Sequence, residues 1–205
     1  MQNLPNKEIV YVCIPTTRER RARLQTCIDH IRVNDFPHVI VLYENQDGGC
    51  VAAEHNMLQG IEGLVFLLND DMEIAPDCIR RLYEAYRKNA EEMSNVDDFE
   101  KPLMLQPFEQ IHKGRLAVSP FCHSSVLKKY VFKGYNHNFN DTELTEVVRA
   151  EGRYVFVPEA TMVHRHGTEE NGLMDETYRM TSATYRKDRA LFHERKAAGF
   201  IPKNS

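Results

Sequence analysis

Three apolar runs separated by amphipathic stretches constrain this chain more than any other feature. Ile9 to Ile14 (Ile-Val-Tyr-Val-Cys-Ile), Val39 to Tyr43 (Val-Ile-Val-Leu-Tyr) and Leu64 to Leu68 (Leu-Val-Phe-Leu-Leu) contain no polar alternation. Continuous apolar runs of this length suit strands buried on both faces, with Pro15 expected to stop the first. Between the first two runs, Leu24, Cys27, Ile28 and Ile31 recur at three- and four-residue spacing, the stripe of an amphipathic helix. Residues 50–60, after the Gly48-Gly49 break, suit a second short helix. Pro76 stands where a further helix begins, and Ile79, Leu82, Tyr83 and Tyr86 continue it. Buried strands alternating with helices imply a three-layer, Rossmann-like α/β sandwich, with a mostly parallel central sheet covered by helices on both faces. Ligands of such sheets bind beyond the carboxyl ends of the strands. Those ends are Pro15-Thr16-Thr17, Glu44-Asn45 and Asn69-Asp70-Asp71, all polar.

The second half is less regular. Residues 93–101 read as an exposed acidic loop, and Leu103-Met104-Leu105 and Leu116-Ala117-Val118 as short strands. A helix starts near Asn140, carries Leu144, Val147 and Val148 on one face and stops at Gly152. Two further strands follow, Tyr154 to Pro158 and Thr161 to His164, and a charged amphipathic helix covers Glu176 to Ala197. The expected organisation is one domain over residues 1–170, with a regular first half (1–92) and a less regular second half (93–170), and a helical extension over 171–205.

With 205 residues, 42% of them hydrophobic and 27% charged, the chain suits one globular domain. No apolar run approaches the ~20 residues that span a bilayer, and the start, Met1 to Pro5, carries no signal-peptide pattern. Five scattered cysteines form neither a disulfide framework nor a metal clip, which favours a reducing, cytoplasmic setting. The net charge of −4 argues against a broad nucleic-acid surface. The basic cluster Arg18 to Arg23 reads as a solvated helix face.

Three clusters carry chemistry. Adjacent carboxylates at Asp70 and Asp71 repel unless they are solvated or share a cation, and Mg²⁺ or Mn²⁺ takes such oxygens together with substrate phosphates. Asn140-Asp141-Thr142-Glu143 has the spacing of a capping box and also sets Asp141 at a rigid helix start, a position suited to a general base. His164-Arg165-His166 follows a strand.

In order and spacing, these motifs resemble the inverting family-2 glycosyltransferases with the nucleotide-sugar (glycosyltransferase-A) fold, over roughly residues 8–168. Ile14 to Arg18 resembles that family's nucleotide-contacting loop, and Glu44-Asn45 stands where an Asp usually contacts the nucleoside. Gly49 to Asn56 is similar to its Gly-x-x-x-Ala-x-x-Asn helix, and Leu67 to Asp71 to its acidic signature. Asn140 to Leu144, Arg149 to Arg153 and Val157 to Ala160 resemble its catalytic helix and the strand after it. Asn69 and Asn140 replace the usual acidic residues. The resemblance implies a nucleotide-diphosphate sugar bound by Pro15, Thr16, Arg18, Glu44, Asn56 and Asp70. It implies Mn²⁺ or Mg²⁺ on Asp71 and His164, or on His166 in place of His164. Asp141 would be the base that activates a carbohydrate or other hydroxyl acceptor, with inversion at the sugar. On this resemblance residues 1–170 are the catalytic domain, 1–92 its nucleotide-sugar-binding half and 93–170 its acceptor and catalytic half, in which Phe121, His123, Tyr135 and His137, within residues 101–138, are expected to shape an acceptor pocket. Three alternatives stay open: a sugar nucleotidyltransferase, a non-catalytic sugar- or nucleotide-binding module, and a transferase acting on a modified nucleic-acid base.

Overall fold

The structure is a computed structural model that describes residues 8–46, 48–95, 101–165 and 176–200. Strand β1 (Val10–Thr16) leads through a 3-10 turn (Arg18–Arg20) into helix α1 (Arg21–Arg32). Then come β2 (Val39–Asn45), α2 (Cys50–Leu58), β3 (Leu64–Leu67), β4 (Met72–Ile74), α3 (Cys78–Ser94) and β5 (Leu103–Phe108). The chain continues with β6 (Phe121–His123), α4 (Ser124–Tyr130), α5 (Asn140–Glu151), β7 (Arg153–His164) and α6 (Glu176–Ala197). The strands form one seven-stranded sheet in the order β2-β1-β3-β6-β5-β7-β4. β1, β2, β3, β5 and β7 run one way and β6 and β4 the other, so the sheet is mostly parallel, as expected.

Period-2 alternation divides the core. On β1 and β3, Val10, Val12, Ile14, Leu64 and Phe66 face the layer that holds Leu24 and Ile31 of α1 and Ile79 and Leu82 of α3. Cys13, Val65 and Leu67 face the opposite layer, with Leu58 of α2, Leu127 of α4, Leu144 and Val148 of α5 and Phe192 of α6. A run that is apolar at every position therefore feeds two cores at once. Each fully buried aliphatic or aromatic side chain contributes about 1.5–3 kcal/mol.

Several elements depart from the sequence-based expectation. Pro15 does not stop β1; it lies within the strand, opposite Glu44 of β2. Its missing N–H faces the side on which β3 has already ended at Leu67, opposite Cys13, where no ladder bond is lost. β2 is an edge strand with Ile40 and Tyr43 exposed, so its apolar run is half solvated. Leu116 to Val118 is a bent loop tied by Ala117 N–H to Thr145 Oγ1 at 2.8 Å, and the strand there is β6. The two final strands are one, β7, with a register shift opposite Pro107/Phe108. Asn140 is not a cap: Phe139 takes that place in the left-handed region (φ 68°). Of the expected acidic loop, residues 96–100 lie outside the described part, as does His166.

Candidate active site

The site is assembled where β3 ends. After Leu67 the chain turns through Asn69, Asp70 and Asp71 and returns as β4, whose Met72 sits opposite His164 of β7. This short antiparallel pairing, with Arg165 N–H donating to Asp71 O at 2.8 Å, brings together residues more than 90 positions apart. Asp71 Oδ1 stands 3.3 Å from His164 Nε2, and Asp70, Asp71 and His164 are 1%, 6% and 8% exposed.

Two buried carboxylates side by side need positive charge. Arg20 supplies it, one guanidinium nitrogen donating to Asp70 Oδ1 and the other to Asp71 Oδ2, the latter at 2.7 Å. Thr16 Oγ1 donates to Asp70 Oδ2 at 2.7 Å. The basic cluster is thus not uniformly a solvated face: Arg18 is exposed on the 3-10 turn, whereas Arg20, two residues on, is buried in the acidic turn. Burial raises Asp71, but the hydrogen bond and charge of His164 and the charge of Arg20 outweigh it and hold the carboxyl below its usual range. For Asp70 burial wins over Arg20 and Thr16, and the carboxyl is pushed up to about 6. The neighbours therefore differ: Asp71 is the firmly ionised member.

That difference fits a divalent cation. Ligands about 2.1 Å from an octahedral ion lie about 3 Å apart, close to the Asp71–His164 spacing of 3.3 Å. A carboxylate oxygen with an imidazole nitrogen is a donor set for Mn²⁺ as readily as Mg²⁺. Asp70, occupied by Thr16 and Arg20, is not placed as a ligand.

Pro15, Arg20, Asp70, Asp71 and His164 line a cavity of about 160 Å³, joined by His137. The loop that carries His137 is fixed from α6. Buried Asp188 accepts the backbone N–H groups of Asn136, His137 and Asn138 at 2.9–3.1 Å. Gly49 meets the same loop: at φ 109° it opens α2, and a Cβ there would lie 3.0 Å from Asn136 O. Of the four residues expected to shape an acceptor pocket, only His137 lines this cavity. Phe121 is core, Tyr135 is buried with its hydroxyl donating to Glu143 Oε2 at 2.7 Å, and His123 sits at the opposite end of the sheet, beside Leu64.

Asp141 occupies the first turn of α5, half-buried, with Thr142 N–H donating to its Oδ1 at 2.7 Å. Burial raises its carboxyl above the usual range, against the opposing effect of the Thr142 N–H and the charge of His112. Beside it, Asn140 Nδ2 donates to Glu54 Oε2 at 3.0 Å. Glu54 is buried, and burial, with the charge of Asp141, pushes it up to about 7. Glu54 was not among the residues expected at the site. Asn56, on the same helix, is exposed and outside the cavity; Glu44 is half-buried at the end of β2. Arg20 and Glu54 share one usable signal, a charged residue in register with the apolar positions of its own segment.

No protein-family model matches the chain and no curated protein matches it, whereas solved structures do. Glucosyl-3-phosphoglycerate synthase from Mycobacterium tuberculosis, in complex with Mn²⁺, UDP-glucose and phosphoglyceric acid, superposes with a TM-score of 0.58 at 13% identity, over 92% of this chain and 79% of that one. S. aureus TarS superposes at 0.54 and 12% identity, over 78% of this chain and 37% of that one. The mannosyltransferase PcManGT from Pyrobaculum calidifontis, in complex with GDP-Man and Mn²⁺, gives 0.54 at 13%, over 80% and 58%. The chain spans between 37% and 60% of the TarS structures it matches. These likenesses establish the fold, that of the nucleotide-sugar (glycosyltransferase-A) glycosyltransferases.

Proposed function

We propose that the chain is a metal-dependent glycosyltransferase that moves a sugar from a nucleotide-diphosphate donor to an acceptor hydroxyl, with inversion. The observation that carries this reading is the buried Asp71–His164 pair, 3.3 Å apart at the carboxyl end of β3, in the fold just described. The donor lies across the ends of β1, β2 and β3, with Pro15 and Thr16 on its nucleotide side. Arg18 and Glu44 flank the nucleoside from the exposed rim.

Asp71 and His164 are the residues that hold a Mn²⁺ or Mg²⁺. Bound there, the ion supplies positive charge to the leaving diphosphate. Arg20 adds a second fixed positive charge on the same side and keeps Asp70 and Asp71 in place. Asp141, at the rigid start of α5, accepts the proton of the acceptor hydroxyl as its oxygen forms the bond to the anomeric carbon and the bond to the diphosphate breaks. A raised carboxyl is a better base than a solvent-exposed one. Asn140, held on Glu54, fixes the turn that carries it. The acceptor is a carbohydrate or another hydroxyl compound. A cytoplasmic setting accords with five free cysteines, and no helix among the described residues is long and apolar enough to cross a membrane.

Asp141→Asn tests the assignment. Transfer is expected to fall by about 10²–10⁴-fold with donor binding unchanged. Transfer at the original rate would remove Asp141 from the reaction. Donor binding with no transfer even by the parent chain would favour a non-catalytic nucleotide-sugar-binding module.

A further inference from the structure

His164 faces a second group of donors. The loop after β5 folds around Glu109, which is fully buried and accepts the backbone N–H groups of Ile111 (2.7 Å), His112 (2.5 Å) and Lys113 (3.2 Å). Its Oε1 also lies 3.0 Å from His112 Nδ1. Lys113 and Gly114, at φ 51° and 74°, complete the turn. Gln110 then fastens the loop to the end of β7: its Nε2 donates to His164 O at 2.7 Å and its Oε1 accepts His164 N–H at 3.0 Å. The outcome is a convergence that the sequence hides. One ligand atom each from Glu109, His112 and His164 lies within 4.8 Å of the others.

We infer that Glu109, His112 and His164 form a cation site that shares His164 with the acidic turn, so that one ion at a time engages it, and that is suited to a transition ion such as Co²⁺, Zn²⁺ or Mn²⁺ and poorly suited to Mg²⁺. Two imidazoles and one carboxylate are nitrogen-rich for a hard ion and well matched to a borderline one. The carboxylate is anchored by three backbone N–H groups, and the His164 backbone is gripped on both sides by Gln110, so two of the three donors are held before any ion arrives. His112 is the partly exposed member, its side chain 29% accessible, and gives the ion a way in. The site deepens the proposed function, on which it rests for the part His164 plays. An ion held by three protein donors is retained without nucleotide, whereas one held by Asp71 and His164 alone depends on donor phosphates.

Titration of the full chain with Co²⁺, without nucleotide, tests the inference through the visible absorption of bound cobalt. The parent is expected to bind one Co²⁺ per chain. His112→Ala and His164→Ala should each weaken binding at least about tenfold, and Asp71→Asn should leave it within a few-fold. If His112→Ala fails to fold, as judged by thermal unfolding, His112→Asn takes its place. Cobalt binding that survives loss of His112 but is lost with Asp71 would overturn the site and confine the ion to the acidic turn, with the glycosyltransferase reading intact. No cobalt binding by the parent would also overturn it. Donor binding, measured separately with UDP-glucose and GDP-mannose, reports on the glycosyltransferase reading whichever way cobalt behaves.

Discussion

Arg20 shows how a single side chain can decide what an acidic turn is. Its removal leaves two buried carboxylates uncompensated, and breaking such a pair costs about 3–5 kcal/mol. Arg20→Ala is therefore expected to lower the unfolding free energy measured by urea titration by that amount, whereas an exposed substitution such as Arg18→Ala should change stability by less than about 0.5 kcal/mol. Glu54 gives a pH-dependent counterpart. Its folded carboxyl is raised from an ordinary value of 4.5 to about 7, so between those values the folded chain binds the proton that the unfolded chain has released. Stability contributed in this way is present at low pH and lost as pH rises from about 4.5 to 7, a change of roughly 3 kcal/mol. Glu54→Gln should flatten that part of the stability–pH profile in denaturant titrations at pH 5 and pH 8. Asp71 has the opposite sign: its lowered carboxyl stabilises the fold above the ordinary carboxylate range, and this is lost as pH falls through its folded value. At this scale the sequence marked Asp70, Asp71, Asp141 and His164 by motif and position. It missed Arg20, Glu54 and His112, because their roles arise from burial and from partners at least 50 residues away in the first two cases and from a loop held onto β7 in the third.

Among the elements, the least conspicuous does the most positioning. β4 has three residues, too few for any periodicity to reveal, yet its pairing with β7 is what sets His164 against Asp71. The longer elements were legible: α1 and α3 from their apolar stripes, β1 and β3 from unbroken apolar runs, and α6 (Glu176–Ala197) from its charged amphipathic pattern, with its end at Ala197. β2 looked equally buried because composition cannot distinguish an edge strand from a central one. Helix α6 also holds the site together. Arg195 forms a buried ion pair with Glu143 of α5 at 2.5 Å and stacks over Phe132 at 3.4 Å, while Asp188 gathers the N–H groups of residues 136–138. Asp188→Ala removes one acceptor from three buried or half-buried donors and is expected to cost about 2–4 kcal/mol. Amide exchange should then quicken first at residues 136–138; unchanged protection there would show that α6 does not fix the loop.

The whole molecule is one sheet between two helical layers, with its polar chemistry gathered at one end. That arrangement followed from three strand-like runs ending in polar residues, since parallel strands deliver their carboxyl ends to the same edge. The second half of the sheet was harder to read, because β6 reverses direction and β7 merges two expected strands. Solved structures at 11–14% identity share the architecture, and the chemistry assigned to it here rests on Asp71, His164 and Asp141. Ligand binding to the native state raises its melting temperature by mass action, so donor and cation can be tested together. The decisive measurement is the melting temperature of the chain with UDP-glucose or GDP-mannose, with Mn²⁺, and after chelation. The account predicts a rise of several degrees with nucleotide sugar and Mn²⁺ together, abolished by chelation and by Asp71→Asn. Melting that is indifferent to every nucleotide sugar in the presence of Mn²⁺ would contradict it.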